Sequence, residues 1–112
     1  MCAISTNADI LKAKRQLAQR YATAFAELDG VQFIKEPHYA RSNYWLNALL
    51  LKDQAQRDAL LQWGQDHSYQ LRPVWTLQNQ LAMYQDCPSM PLPIASELAM
   101  RLVNIPSSPN LL

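Results

Sequence analysis

The chain has 112 residues, nearly half of them apolar, with both charge signs interspersed and a formal net charge of +1. That describes a single globular domain, residues 1–112, with room for one modest hydrophobic core. Such a charge balance gives no cationic footprint for nucleic acid or an anionic membrane. No apolar run approaches the roughly 20 residues that cross a bilayer. The opening Met1-Cys2-Ala3-Ile4-Ser5-Thr6 lacks the regions of a secretory leader, so a cytoplasmic protein is expected.

The first element in chain order is a helix over residues 8–28. Ile10, Leu17, Tyr21, Phe25 and Leu28 recur at helical spacing, and Lys14, Gln16, Gln19, Arg20 and Glu27 lie between them. Thr6 or Asn7 suits the N-cap, and Gly30 the left-handed position after the last turn. Val31-Gln32-Phe33-Ile34 then reads as a short strand ended by Pro37. Residues 43–51 read as a longer one, apolar enough to suggest a central strand covered on both faces, with a buried helix left open by periodicity alone. Asp53 followed by Gln56 has capping-box spacing and predicts a helix to about Asp66 that buries Leu60, Leu61 and Trp63. Residues 69–72 form a third predicted strand, closed by Pro73. A short helix is predicted over 77–84, a proline-rich connector over 87–93 and a further helix over 94–103. Residues 105–109 are expected to be an extended tail. This order predicts an α+β fold in which a small, mostly antiparallel sheet of about three strands packs with helices.

The chemistry-bearing residues are sparse. Both glycines, Gly30 and Gly64, sit where helix ends explain them, so there is no glycine-rich phosphate cradle. Cys2 and Cys87 have no Cys or His at ligand spacing, and His38 and His67 are isolated, so no metal site is expected and the thiols read as structural. Asp53 and Asp58 read as an N-cap and a solvated helix position rather than a catalytic pair. Lys12, Lys14, Lys35 and Lys52 read as solvated side chains, whereas a Schiff-base lysine sits in a desolvated pocket. The residues therefore supply no catalytic, cofactor-binding or metal-binding group, and the chain alone is not expected to be an enzyme.

Five segments in register carry a resemblance. They are residues 14–21 (KRQLAQRY), Asn43-Tyr44-Trp45-Leu46, Arg72-Pro73-Val74-Trp75, Met83-Tyr84 with Cys87-Pro88, and residues 99–108 (AMRLVNIPSS). From about residue 8 onward the chain resembles the C-terminal small domain of DegT/DnrJ/StrS-type aminotransferases, in particular the LegC-like branch that aminates nucleotide-linked keto sugars. The resemblance implies a fold-type I layout, in which a large domain absent from this sequence carries pyridoxal phosphate and its lysine. The small domain there shapes the substrate mouth and helps to form a homodimer. By motif match, the resemblance implies that Asn43, Tyr44 and Arg72 bind substrate, with Arg72 suited to a phosphate. Read on their own, these residues keep other roles open: Tyr44 and Trp45 as core aromatics, Arg72 as the partner of a local carboxylate. His38, Tyr39 and Arg41 read as a solvated loop, Trp63 and Trp75 as packing residues with Trp75 near an interface, and residues 104–108 as an edge segment.

Three functions are compatible with this reading. One is an orphan small domain that shapes substrate and assembles, either as a homodimer or with a full-length or large-domain aminotransferase. Another is a stand-alone module that binds a small molecule or a protein. The third is one half of a split pyridoxal-phosphate enzyme acting in trans. The first predicts an exposed apolar face.

Overall fold

The computed structural model describes residues 7–111. Helix α1 spans Asn7–Ala24, strand β1 Val31–Phe33, strand β2 Asn47–Leu51, helix α2 Gln54–Asp66 and strand β3 Arg72–Pro73. Helix α3 spans Pro93–Arg101 and runs directly into strand β4, Leu102–Ile105. Short 3-10 turns occupy Gln78–Gln80, Ala82–Tyr84 and Pro109–Leu111. The four strands form one antiparallel sheet in the order β1-β2-β4-β3. The α+β class follows as predicted. The strand count does not, because β4 takes its first two residues from the predicted helix over 94–103 and its last two from the predicted edge and tail.

The physical reason lies at Leu102. Its amide still donates to the Leu98 carbonyl, so Leu98 and Leu102 are spaced as on a helix, but its backbone is extended at φ −82° and ψ 138°. Val103 and Ile105 follow as alternating buried residues of a strand. Pro106 comes next, and β4 lies between β2 and β3 in the middle of the sheet. Residues 104–105 thus belong to an interior strand, not to an edge or a tail.

Cross-strand pairing defines the two sheet faces. Val31 faces Leu51, Phe33 faces Leu49, Leu49 faces Val103 and Asn47 faces Ile105. Phe33, Leu49, Leu51, Val103 and Ile105 form the apolar core with Leu17, Ala18 and Ala22 of α1, Asn47 is buried with them, and half-buried Val31, Leu60, Leu61 and Leu71 pack against it. The alternate set, Gln32, Ala48, Leu50, Leu102, Asn104 and Arg72, contains no buried residue. The central strand is therefore fully buried on one face and half-buried on the other, less covered than its apolar composition predicts.

Several boundaries move for local reasons. α1 stops at Ala24, and Phe25 and Leu28 continue it as turns held by Phe25 N–H to the Tyr21 carbonyl (2.9 Å) and Leu28 N–H to the Phe25 carbonyl (3.3 Å). Gly30 has φ +76°, as its place demands, but it opens β1 rather than capping α1. Asp53 caps α2 by accepting from Gln56 N–H at 2.8 Å, and the Gln56 side chain accepts from Lys52 N–H at 2.9 Å. Leu60 and Leu61 face inward as expected, whereas Trp63 is 48 % exposed and sandwiched between His67 and Tyr69. Gly64 lies buried in the last turn of α2, and a Cβ there would fall 2.6 Å from Leu71 Cδ1. The predicted third strand moves along to Arg72–Pro73, and the predicted helix over 77–84 is two 3-10 turns separated by extended Leu81. Of the cysteines, Cys2 and the Thr6 cap lie outside the described residues, and Cys87 is exposed and free rather than structural.

Candidate functional site

The segment between β1 and β2 departs from a strand because side chains capture its backbone. The Ser42 hydroxyl accepts from Tyr44 N–H (2.9 Å), and the Asn43 carboxamide accepts from Trp45 N–H (3.0 Å). Such local acceptors hold the chain in turns instead of a ladder. Tyr44 takes φ +48°, a left-handed conformation rare for a bulky residue. It stays there because it is held at three points. Its ring stacks on Phe33 at 6.5 Å, its hydroxyl accepts from Glu36 N–H at 3.1 Å, and its carbonyl accepts from Lys14 Nζ at 3.4 Å.

Two basic residues of α1 tie this segment down. Lys14 donates from Nζ to the carbonyls of Tyr44, Trp45 (3.0 Å) and Ser107 (2.8 Å). It is half-buried and committed, which corrects its reading as a solvated lysine. One turn face onward, Arg15 grips Glu36 through both Nη atoms at 2.9 and 2.6 Å and donates to the Ser42 carbonyl at 2.7 Å. Ser42 N–H completes the set on Glu36 at 2.6 Å. These bonds, Arg15 first, hold the Glu36 carboxyl at about 2, well below its usual value. Ser107 in turn accepts from the Asn47 amide at 2.8 Å, so the chain end and the start of β2 are joined at the same knot.

The residues implied as substrate-binding are not gathered into one cavity. Tyr44 lines a groove with α1, its ring packed against the core. Asn43 is exposed beside it, its carboxamide engaged in the turn. Arg72 is exposed on the open sheet face, paired across the ladder with Asn104, and lines a second groove with Trp45, Trp75, Asn104 and Ser108. His38, Tyr39 and Arg41 are exposed, as expected for a solvated loop. The network residues Lys14, Arg15, Glu36 and Ser107 were missed because each is ordinary by type and their partners are up to 93 residues away. The one legible cue was a Lys-Arg pair on an otherwise amphipathic helix.

Exposed apolar side chains include Trp45 just before β2, and two stretches of the surface are rich in them. Residues 82–94 contain no buried or half-buried side chain, with Met83 at 75 % and Met90 at 80 % exposure, and Trp75 just before them is at 70 %. A groove of about 890 Å³ also separates α1 from α2, walled by Tyr21, Phe25, Leu28, Trp63 and Leu71. Among the described residues no group of acidic, His or Cys side chains is arranged to hold a metal, and no helix is long and apolar enough to cross a membrane.

Sequence and fold comparisons bear on this arrangement directly. The sequence pattern of the DegT/DnrJ/EryC1/StrS aminotransferase family matches residues 4–112. The chain belongs to that family. A GDP-perosamine synthase of Escherichia coli O157:H7 is 30% identical over 103 residues, which is 92% of this chain but 28% of that protein. The aminotransferase TlmJ of Streptoalloteichus hindustanus superposes with a TM-score of 0.81 at 20% identity, covering 91% of this chain and 27% of that one. The structure of DesI in the presence of its TDP-sugar product gives 0.82 at 20% identity, covering 92% and 27%. This aminotransferase-family chain thus spans little more than a quarter of the length of the proteins it matches. Pyridoxal phosphate, the cofactor of the family, does not fit the lysines present. Lys12, Lys35 and Lys52 are exposed, and Lys14 Nζ already has three carbonyl acceptors within 3.4 Å.

Proposed function

We propose that this chain acts as the C-terminal small domain of a nucleotide-sugar aminotransferase and has no catalysis by itself. Its role is to shape the substrate mouth and to support assembly, as a homodimer or against a large aminotransferase domain. The observation that carries this reading is the combination of a whole-domain family match with coverage of only 27–28% of the matched proteins. The exposed Trp45, Trp75, Met83 and Met90 support it, since monomers rarely leave such apolar surface uncovered.

In this reading the α1 knot is the positioning device. Lys14 and Arg15 hold the segment around the left-handed turn at Tyr44, beside which Asn43 is exposed. Arg72, exposed and without an ion pair among the described residues, offers a planar donor fork to a substrate phosphate. Pyridoxal phosphate would be held by the large domain, and no residue here is assigned to it.

The test is transamination of a nucleotide-linked keto sugar with pyridoxal phosphate supplied. It is run with this chain alone and with a separately produced large domain of a family member. No turnover alone and turnover on mixing is the expected pair of results, and it would extend the reading to a split enzyme. Turnover by the chain alone would overturn it.

A further inference from the structure

The groove between α1 and the β1–β2 segment, about 680 Å³, carries a charge pattern that the assembly role does not use. Lys12 and Arg15 line it from the helix, Lys35 and Arg41 from the segment, and Glu36 is the one acidic residue among its lining side chains. Four cations against one carboxylate leave a formal excess of three positive charges (4 − 1), on a chain whose whole net charge is +1. Glu36 offsets one of them: its two oxygens accept from both Nη atoms of Arg15 and from Ser42 N–H, and Arg41 acts on it through charge alone, without a hydrogen bond. Lys12, Lys35 and Arg41 have neither hydrogen bonds nor ion pairs among the described residues.

The floor is apolar: Ala18 and Phe33 are buried there, with Leu11 and Tyr44 beside them. Cations around a concave, partly apolar surface focus positive potential and fit a small anion with a hydrophobic portion. The walls do not need to rearrange to receive it, since Arg15, Glu36, Ser42 and Tyr44 are already cross-linked by hydrogen bonds.

We infer that this groove binds a phosphate-bearing small molecule, with Lys12, Lys35 and Arg41 as its phosphate contacts and the Leu11–Phe33–Tyr44 floor against its apolar part. The inference rests on this chain's own charges and geometry, and it stands whether or not a large domain is the chain's partner.

The experiment is calorimetric titration of the intact chain with pyrophosphate and, separately, with ADP at low ionic strength, with amide chemical shifts followed by NMR. Saturable binding with shifts at Lys12, Lys35 and Arg41 is expected. Each of Lys12→Gln, Lys35→Gln and Arg41→Gln should weaken it by about threefold, as for other exposed charge contacts. Lys52→Gln, away from the groove, should leave it unchanged. ADP binding tighter than pyrophosphate would show the floor taking the nucleoside, and equal affinities would show phosphate recognition alone; both uphold the site. Absence of saturation, or equal weakening by Lys52→Gln, would overturn it. The substituted side chains are exposed, and circular dichroism of each variant verifies that the fold is kept.

Discussion

Lys14 has a half-buried ammonium with three carbonyl partners on two distant segments, so its replacement by an isosteric apolar chain should be felt well beyond its own turn. Lys14→Met leaves the Tyr44, Trp45 and Ser107 carbonyls without that donor, and loss of hydrogen bonds to a charged group costs roughly 1.5–3 kcal/mol. Urea denaturation should report that loss, and hydrogen exchange should report faster opening at residues 44–47. An unchanged midpoint would mean the three bonds do not hold the turn. Glu36 makes a pH-dependent contribution of predictable sign. Its folded pKa of about 2 lies below that of a free carboxyl, so its pairing stabilises the fold fully above the unfolded value near 4.3 and fades as pH falls toward 2. The stability gap between the native chain and Glu36→Gln should therefore be open at pH 7 and shrink steadily below about pH 4.5. A gap that stays constant down to pH 2 would deny the Arg15 pairing this role. Neither residue was legible in sequence, because a lysine on a helix reads as solvated until the chain it bonds to has been placed.

The elements divide differently. α2 could be read end to end, since Asp53 and Gln56 announce its cap locally and Leu60 and Leu61 set its inner face. β4 could not, because Leu98 and Leu102 keep helical spacing across the junction while the change of backbone is dictated by pairing with β2 and β3. The apolar run before β2 misled for a related reason: composition favours a strand, but Ser42 and Asn43 take the backbone into turns first. Gly64 reads as a helix-end glycine and does lie in the last turn of α2, but contact with Leu71 is a reason that the sequence does not show. A methyl group there meets Leu71 at 2.6 Å, so Gly64→Ala should cost about 1–3 kcal/mol despite improved helix propensity. Adding Leu71→Ala to that variant should make the two changes non-additive, since the second removes the clash caused by the first. Strict additivity in thermal or chemical denaturation would show that α2 and Leu71 do not press on each other.

At the scale of the whole molecule the shape is the informative feature. The radius of gyration is 16.4 Å, against about 13 Å for a compact domain of this length. The long axis of 52 Å against 32 and 31 Å fits a sheet-and-helix body against which residues 74–81 pack, with the exposed residues 82–93 extending from it. That excursion lacks buried side chains from 82 onward, so limited proteolysis should cut there first and leave the body intact. First cuts within α1 or α2 would contradict it. The same uncovered surface carries the central claim, that this family domain is built to be docked rather than to stand alone. Its most direct test is the solution mass of the purified chain by light scattering, with an environment-sensitive dye reporting exposed apolar surface. The account predicts a mass above the 12.8 kDa monomer, or a monomer that binds dye strongly; a 12.8 kDa monomer that binds none would contradict it.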